Sequence, residues 1–175
     1  MRRRSSRFVA ALACVPFALA CSSRQAPAPL AARADSLVLE RTVCFGMCPA
    51  YRLSVRADGR TMFATRTPSG SAGVVTDSVT PAQFVWLVQR AGRIGLAQLP
   101  PVIADDRTLC PVQATDHPTV TVSLFGDSTV TVVDYRGCYA GTDLSVAVPL
   151  AQLRHFEMQI DSVTRSQRWT NTMLR

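Results

Sequence analysis

Six cysteines, two histidines and no lysine bound the chemistry open to this chain of 175 residues. Cys14 and Cys21 lie near its start, and Cys44, Cys48, Cys110 and Cys138 lie in its body. An even set of thiols outside the cytoplasm forms disulfides, and four of them allow three connectivities. Cys44 and Cys48 bracket Phe45-Gly46-Met47 and precede Pro49, so a bend at Gly46 and Pro49 brings their α-carbons within the ~7 Å that a bridge tolerates. The local pairing of Cys44 with Cys48 is therefore preferred, which leaves Cys110 with Cys138 to tie a long connection to the end of the last strand. The alternative is thiol–disulfide exchange through Cys44 and Cys48. That needs a thiolate of depressed pKa, usually at a helix N-terminus, whereas these cysteines are expected in a strand-to-strand turn with Arg41 and Arg52 nearby. Zinc on four thiolates needs two closely spaced pairs, and only Cys44 and Cys48 have that spacing. Haem attachment lacks the histidine that must follow the second cysteine. No metal and no cofactor is expected.

Other reactive residues stand in plainer settings. His117, in Thr-Asp-His-Pro, could move protons, but its context reads as a strand-entry loop with an Asx-type turn. His155 flanks an apolar stripe and reads as a surface residue. Asp105 and Asp106 lack the rest of a calcium loop. The sequence contains no G-x-S-x-G, H-E-x-x-H or phosphate-binding loop, and without lysine it cannot form a Schiff base or a Ser-Lys pair. Charge and an aromatic share an expected exposed face at Arg52, Arg56 and Phe63, a candidate surface for an anionic or sugar-containing ligand.

The address is written in residues 1–21. Arg2, Arg3, Arg4 and Arg7 precede an apolar run over residues 8–20 that ends in Ala-Leu-Ala before Cys21. This reads as a signal peptide over 1–20 whose cleavage leaves Cys21 first and acylated. The run is too short to span a bilayer, which needs about 20 apolar residues. Ser22 carries no aspartate-type retention signal, so the inner leaflet of the outer membrane is expected if the source has two membranes. Residues 21–34 are rich in Ala and Pro and read as a tether; residues 35–175 are the right length for one domain. The formal charge of +7 includes the four signal arginines. Setting these aside leaves 15 arginines against 12 acids, a surplus too small to indicate nucleic acid.

The body must then position these residues. Residues 36–42 and 51–57 read as strands, the second with Tyr51, Leu53 and Val55 alternating against Arg52, Ser54 and Arg56. Asp58-Gly59 predicts a two-residue hairpin that sets Val55 against Met62 and Leu53 against Ala64. Residues 65–78 are expected to be a Gly/Ser-rich loop. Thr80-Pro81-Ala82-Gln83 opens a helix with a capping box and an N1 proline; Phe84, Leu87, Val88 and Ala91 share its apolar face and Gly92 can end it. After a long connection over 93–118 come strands at 119–125 and 129–135. Their apolar faces coincide only if the turn has three residues, aligning Leu124 with Val130 and Val122 with Val132. A last helix over 149–165 carries Leu150, Leu153, Phe156, Ile160 and Val163. The order β-ββ-α-ββ-α predicts an α+β fold of two layers, an antiparallel sheet of about five strands with both helices on one face.

Leu39-Glu40-Arg41-Thr42, the run C-x-G-x-C-P-x-Y from Cys44 to Tyr51 and the Asp58-Gly59 hairpin resemble the bacterial family named domain of unknown function 6438. Thr115-Asp116-His117-Pro118, Tyr135-x-Gly137-Cys138 and Arg168-Trp169 are similar to its members too. The resemblance implies one intact domain with paired motif cysteines, often exported and often lipidated, and no assigned catalytic residue. Two functions stay open: a lipid-anchored envelope module that binds a protein or glycan, its partners being that ligand and the membrane, and a thiol–disulfide protein working through Cys44 and Cys48.

Overall fold

The computed structural model describes residues 33–46, 48–65, 73–140 and 144–173. The expected signal peptide, Cys21 and all of the tether except its last two residues lie outside them. Six strands, β1 (Ala34–Arg41), β2 (Tyr51–Arg56), β3 (Arg60–Thr65), β4 (Val74–Ser78), β6 (Thr119–Gly126) and β7 (Val130–Tyr135), form an antiparallel sheet in the order β4-β3-β2-β1-β6-β7. A two-stranded sheet joins β5 (Val112–Gln113) to β8 (Cys138–Tyr139). Helices α1 (Pro81–Arg93), α2 (Leu144–Thr164) and α3 (Gln167–Met173) complete the α+β fold.

Period-two alternation puts Leu37 and Leu39, Leu53 and Val55, and Val120, Val122 and Leu124 on one face of the sheet. They merge there with Phe84, Leu87, Val88 and Ala91 of α1 and Leu150, Leu153, Phe156 and Ile160 of α2 into one buried cluster. α1 starts as expected: Thr80 accepts from the Gln83 amide and the Gln83 side chain accepts from the Thr80 amide. It runs past Gly92 to Arg93, and Gly95 takes the left-handed conformation (φ 69°) that ends it.

The β6–β7 hairpin has the expected register, Leu124 against Val130 and Val122 against Val132. The β2–β3 hairpin does not: Val55 faces Thr61 and Leu53 faces Phe63. Ala57, Asp58 and Gly59 form a three-residue loop with Gly59 at φ 87° donating to the Arg56 carbonyl at 2.9 Å, the type I turn plus bulge that suits Asp-Gly as well as the two-residue turn does. Gly59 is obligatory there, since a Cβ would lie 2.2 Å from the Val79 carbonyl oxygen. A slip of one residue exchanges the faces of β3. Phe63 is therefore fully buried and Met62 exposed, so Phe63 cannot belong to the surface expected for it.

Besides β5 and β8, two further elements, β4 and α3, arise where none was expected. β4 forms within the Gly/Ser-rich stretch, an exposed edge strand held by pairing with β3. α3 follows α2 after Arg165, which at φ 55° makes a Schellman turn: the Ser166 amide donates to the Asp161 carbonyl and the Arg165 amide to that of Ser162. α3 lays Trp169 against Phe63 with ring centroids 5.1 Å apart, and Arg168 pairs with Asp77 of β4. α2 also starts earlier than expected, enclosing Pro149. Among the described residues no helix is long and apolar enough to cross a membrane, a statement that does not extend to strands.

Candidate functional site

Both cysteine pairs are bonded, Cys44 to Cys48 and Cys110 to Cys138. The second bond is buried beside the small sheet and joins residues 28 apart in sequence. The first stands at the surface between β1 and β2, where Phe45 is 93% exposed and Cys48 and Pro49 border a cleft of about 310 Å³.

Arg41, Tyr51 and Val120 stand side by side across the three central strands at that end of the sheet. Arg41 continues the inward series Leu37, Leu39, where alternation calls for an apolar residue. It is held instead by polar partners. Its Nε donates to the Tyr51 hydroxyl at 2.8 Å and its Nη2 to Asp161 Oδ2 at 2.7 Å. Tyr51 donates to Asp161 Oδ1 at 2.5 Å, and the Ser166 hydroxyl donates to the same oxygen at 2.6 Å. Burial opposes the charge on Arg41, but Asp161 and Tyr51 outweigh it and hold the guanidinium above its ordinary pKa. Burial, then the Asp161 charge, push the Tyr51 phenol upward, so it stays a donor. The Schellman turn after α2 delivers Ser166 to this cluster and Gln167 and Thr170 to the cleft wall.

One turn earlier on α2, Glu157 pairs with Arg136 of the β7–β8 turn. Arg136 also approaches Asp134, whose carboxylate is held by Arg154 at 3.0 and 3.2 Å. Asp134 and Glu157 are fully buried, and Glu157 Oε1 has no hydrogen-bond partner among the described residues. Burial first, with Asp134 adding to it against the arginines, pushes the Glu157 carboxyl up to about 7. A buried ion network is expensive in desolvation, and apolar residues of similar volume often serve a fold as well. Here its arginines Arg41 and Arg136 line the cleft.

The residues that sequence reasoning singled out lie elsewhere. Arg52 and Arg56 are on the open face of the sheet with Arg60, along a trough of about 690 Å³. Arg52 pairs with Glu40 at 2.8 Å, Arg60 with Asp58 at 2.8 Å, and Arg56 stands 4.0 Å from Asp58. On this surface Arg52 pairs with half-buried Glu40 while Arg56 and Arg60 share Asp58, and Phe63, its expected aromatic, is absent. His117 is exposed with its ring edge against Tyr139, and His155 is exposed beside Gln159. Asp106 Oδ1 accepts from the amides of Thr108 and Leu109, making it a turn former. Among the described residues no group of three or more His, Cys, Asp or Glu could hold a metal. The cleft cluster is hard to read from sequence because its members are scattered from 41 to 166. Two signals mark it: an arginine where β1 should stay apolar, and carboxylates at 157 and 161, four apart on the buried face of α2.

A family model described as domain of unknown function 6438 matches residues 35–162. That span takes in the cysteines of both bonds and Arg41, Tyr51, Arg136 and Asp161, and ends short of Arg168-Trp169. A search of curated proteins finds no match.

Proposed function

Because the chain belongs to the family described as domain of unknown function 6438, we propose a function from its own geometry: an exported domain, tethered to a membrane through acylated Cys21, that binds a small molecule in the cleft walled by Arg41 and Arg136. Two disulfides fit an address outside the cytoplasm. The observation that carries the reading is the state of the groups around the cleft. Asp161 already accepts from Arg41, Tyr51 and Ser166, three of the roughly four hydrogen bonds a carboxylate can accept, so it stands as a positioning group. What the network leaves over is a concave, fixed surface of a size at the low end for small-molecule sites. The test is a fragment screen on the full-length protein by protein-observed NMR. Binding should move the amides of Thr42, Cys48, Val120 and Gln167 together; a screen whose hits move none of them contradicts the reading.

A second reading, thiol–disulfide exchange, is favoured by one observation: the Cys44–Cys48 bond lies at the surface and Cys48 borders the same cleft. The reduction potential separates the two. A structural bond lies below about −300 mV and a catalytic one above it.

A further inference from the structure

Resting on the reading of the cleft as a binding site, we propose that its ligand is a small monoanion with an apolar body, the anionic oxygens held by Arg41 and Arg136 and the body packed on Pro49, Pro118 and Val120. Both guanidiniums are fixed from behind. Arg41 uses Nε on Tyr51 and Nη2 on Asp161, and Arg136 uses Nη2 on Glu157 while its Nε stands 3.5 Å from Asp134. In both residues Nη1 makes no hydrogen bond with the described residues. A planar guanidinium with one edge anchored and another unused is preorganised for a carboxylate or a similar oxyanion. Of the charged residues, Arg41, Arg136 and Asp161 line the cleft, and with Glu157, Asp134 and Arg154 behind them arginines and carboxylates balance, so the free guanidinium edges meet a network without surplus charge, which suits a single negative charge better than two. Cys48, Pro49, Pro118 and Val120 offer an apolar body a surface, and although Thr42, Gln167 and Thr170 stand among them, most of the exposed wall is apolar. Glu157, Asp134 and Arg154 stand behind Arg136 and hold it in place.

The experiment titrates full-length protein in detergent with hexanoate, with hexan-1-ol as its neutral counterpart, and with inorganic phosphate as the bare anion. Hexanoate should bind at the cleft amides named above, with both controls about tenfold weaker or more, the difference made by a charge-assisted hydrogen bond or two. Arg136→Gln should remove most of that preference. Since this change strands Glu157, the double variant Arg136→Gln/Glu157→Gln removes both charges and keeps the test valid should the single variant fail to fold. Hexanol binding the cleft as tightly as hexanoate overturns the ligand class and leaves the cleft as a site. Phosphate binding more tightly than hexanoate overturns the apolar body. Hexanoate shifts confined to Arg52, Arg56 and Arg60 overturn the assignment to the cleft, and a preference for hexanoate unchanged in the double variant overturns the role of Arg136. Silence of the cleft amides toward all three probes and toward every fragment contradicts the underlying reading as well.

Discussion

Glu157 is where burial and charge compete most directly. Its carboxyl titrates at about 7 in the fold against 4.5 unperturbed, so between these values the folded protein holds a proton that the unfolded chain has lost. The stability tied to it is present at low pH and lost as pH rises through about 7. A tenfold difference in proton affinity is worth about 1.36 kcal/mol, which makes the whole loss of the order of 3 kcal/mol. Chemical denaturation from pH 4 to 8 should show the wild type weakening relative to Glu157→Gln; parallel profiles would mean the carboxyl titrates normally. Tyr51→Phe takes one donor from buried Asp161 and should cost about 1–2 kcal/mol while leaving the helical circular dichroism intact. Arg165 is an exposed, non-glycine residue at a left-handed position. Arg165→Gly should therefore stabilise by up to about 1 kcal/mol, a sign opposite to that of glycine elsewhere in a helix.

At the scale of elements, the two hairpins explain what can be read in advance. For β6 and β7 the apolar residues of both strands agree on one register, and counting faces settles it. In β3, Met62 and Phe63 are adjacent and both apolar, so the face count cannot choose between them, and Asp-Gly serves turns of two residues and of three. The choice falls to packing that the local sequence does not contain. Phe63 lies 4.9 Å from the Tyr51 ring and 5.1 Å from that of Trp169, a residue of an unforeseen helix. β4 and α3 were illegible for a related reason: β4 is a short edge held by backbone pairing, and α3 is one short amphipathic turn pair whose anchors, Phe63 and Asp77, are remote in sequence. The α1 cap and the α2 stripe were legible because their rules are local. Phe63→Ala should accordingly cost about 3–5 kcal/mol and Met62→Ala almost nothing; the reverse order would restore the two-residue turn. The disulfides divide the same way. Removing Cys110–Cys138 should cost about 3.5 kcal/mol by chain entropy against about 2 for the short loop of Cys44–Cys48. The shorter bond should matter more to ligand affinity, because Cys48 and Pro49 form the cleft wall.

For the whole molecule, the buried network joins the parts that make the cleft: β1 and β2 through Arg41 and Tyr51, α2 through Glu157 and Asp161, and the β7–β8 turn through Arg136. An acyl anchor at Cys21, as proposed, would hold this domain close to a membrane. Cys21→Ala should move the protein from the membrane to the soluble fraction and abolish the N-terminal lipopeptide seen by mass spectrometry; a mature chain beginning at another residue would contradict the anchor. The cleft is best tested by a crystal structure of the protein grown with hexanoate. Electron density for a carboxylate is expected between Arg41 and Arg136, with its alkyl chain against Pro49, Pro118 and Val120. Hexanoate ordered along the open sheet face by Arg52, Arg56 and Arg60, with only water in the cleft, would contradict it.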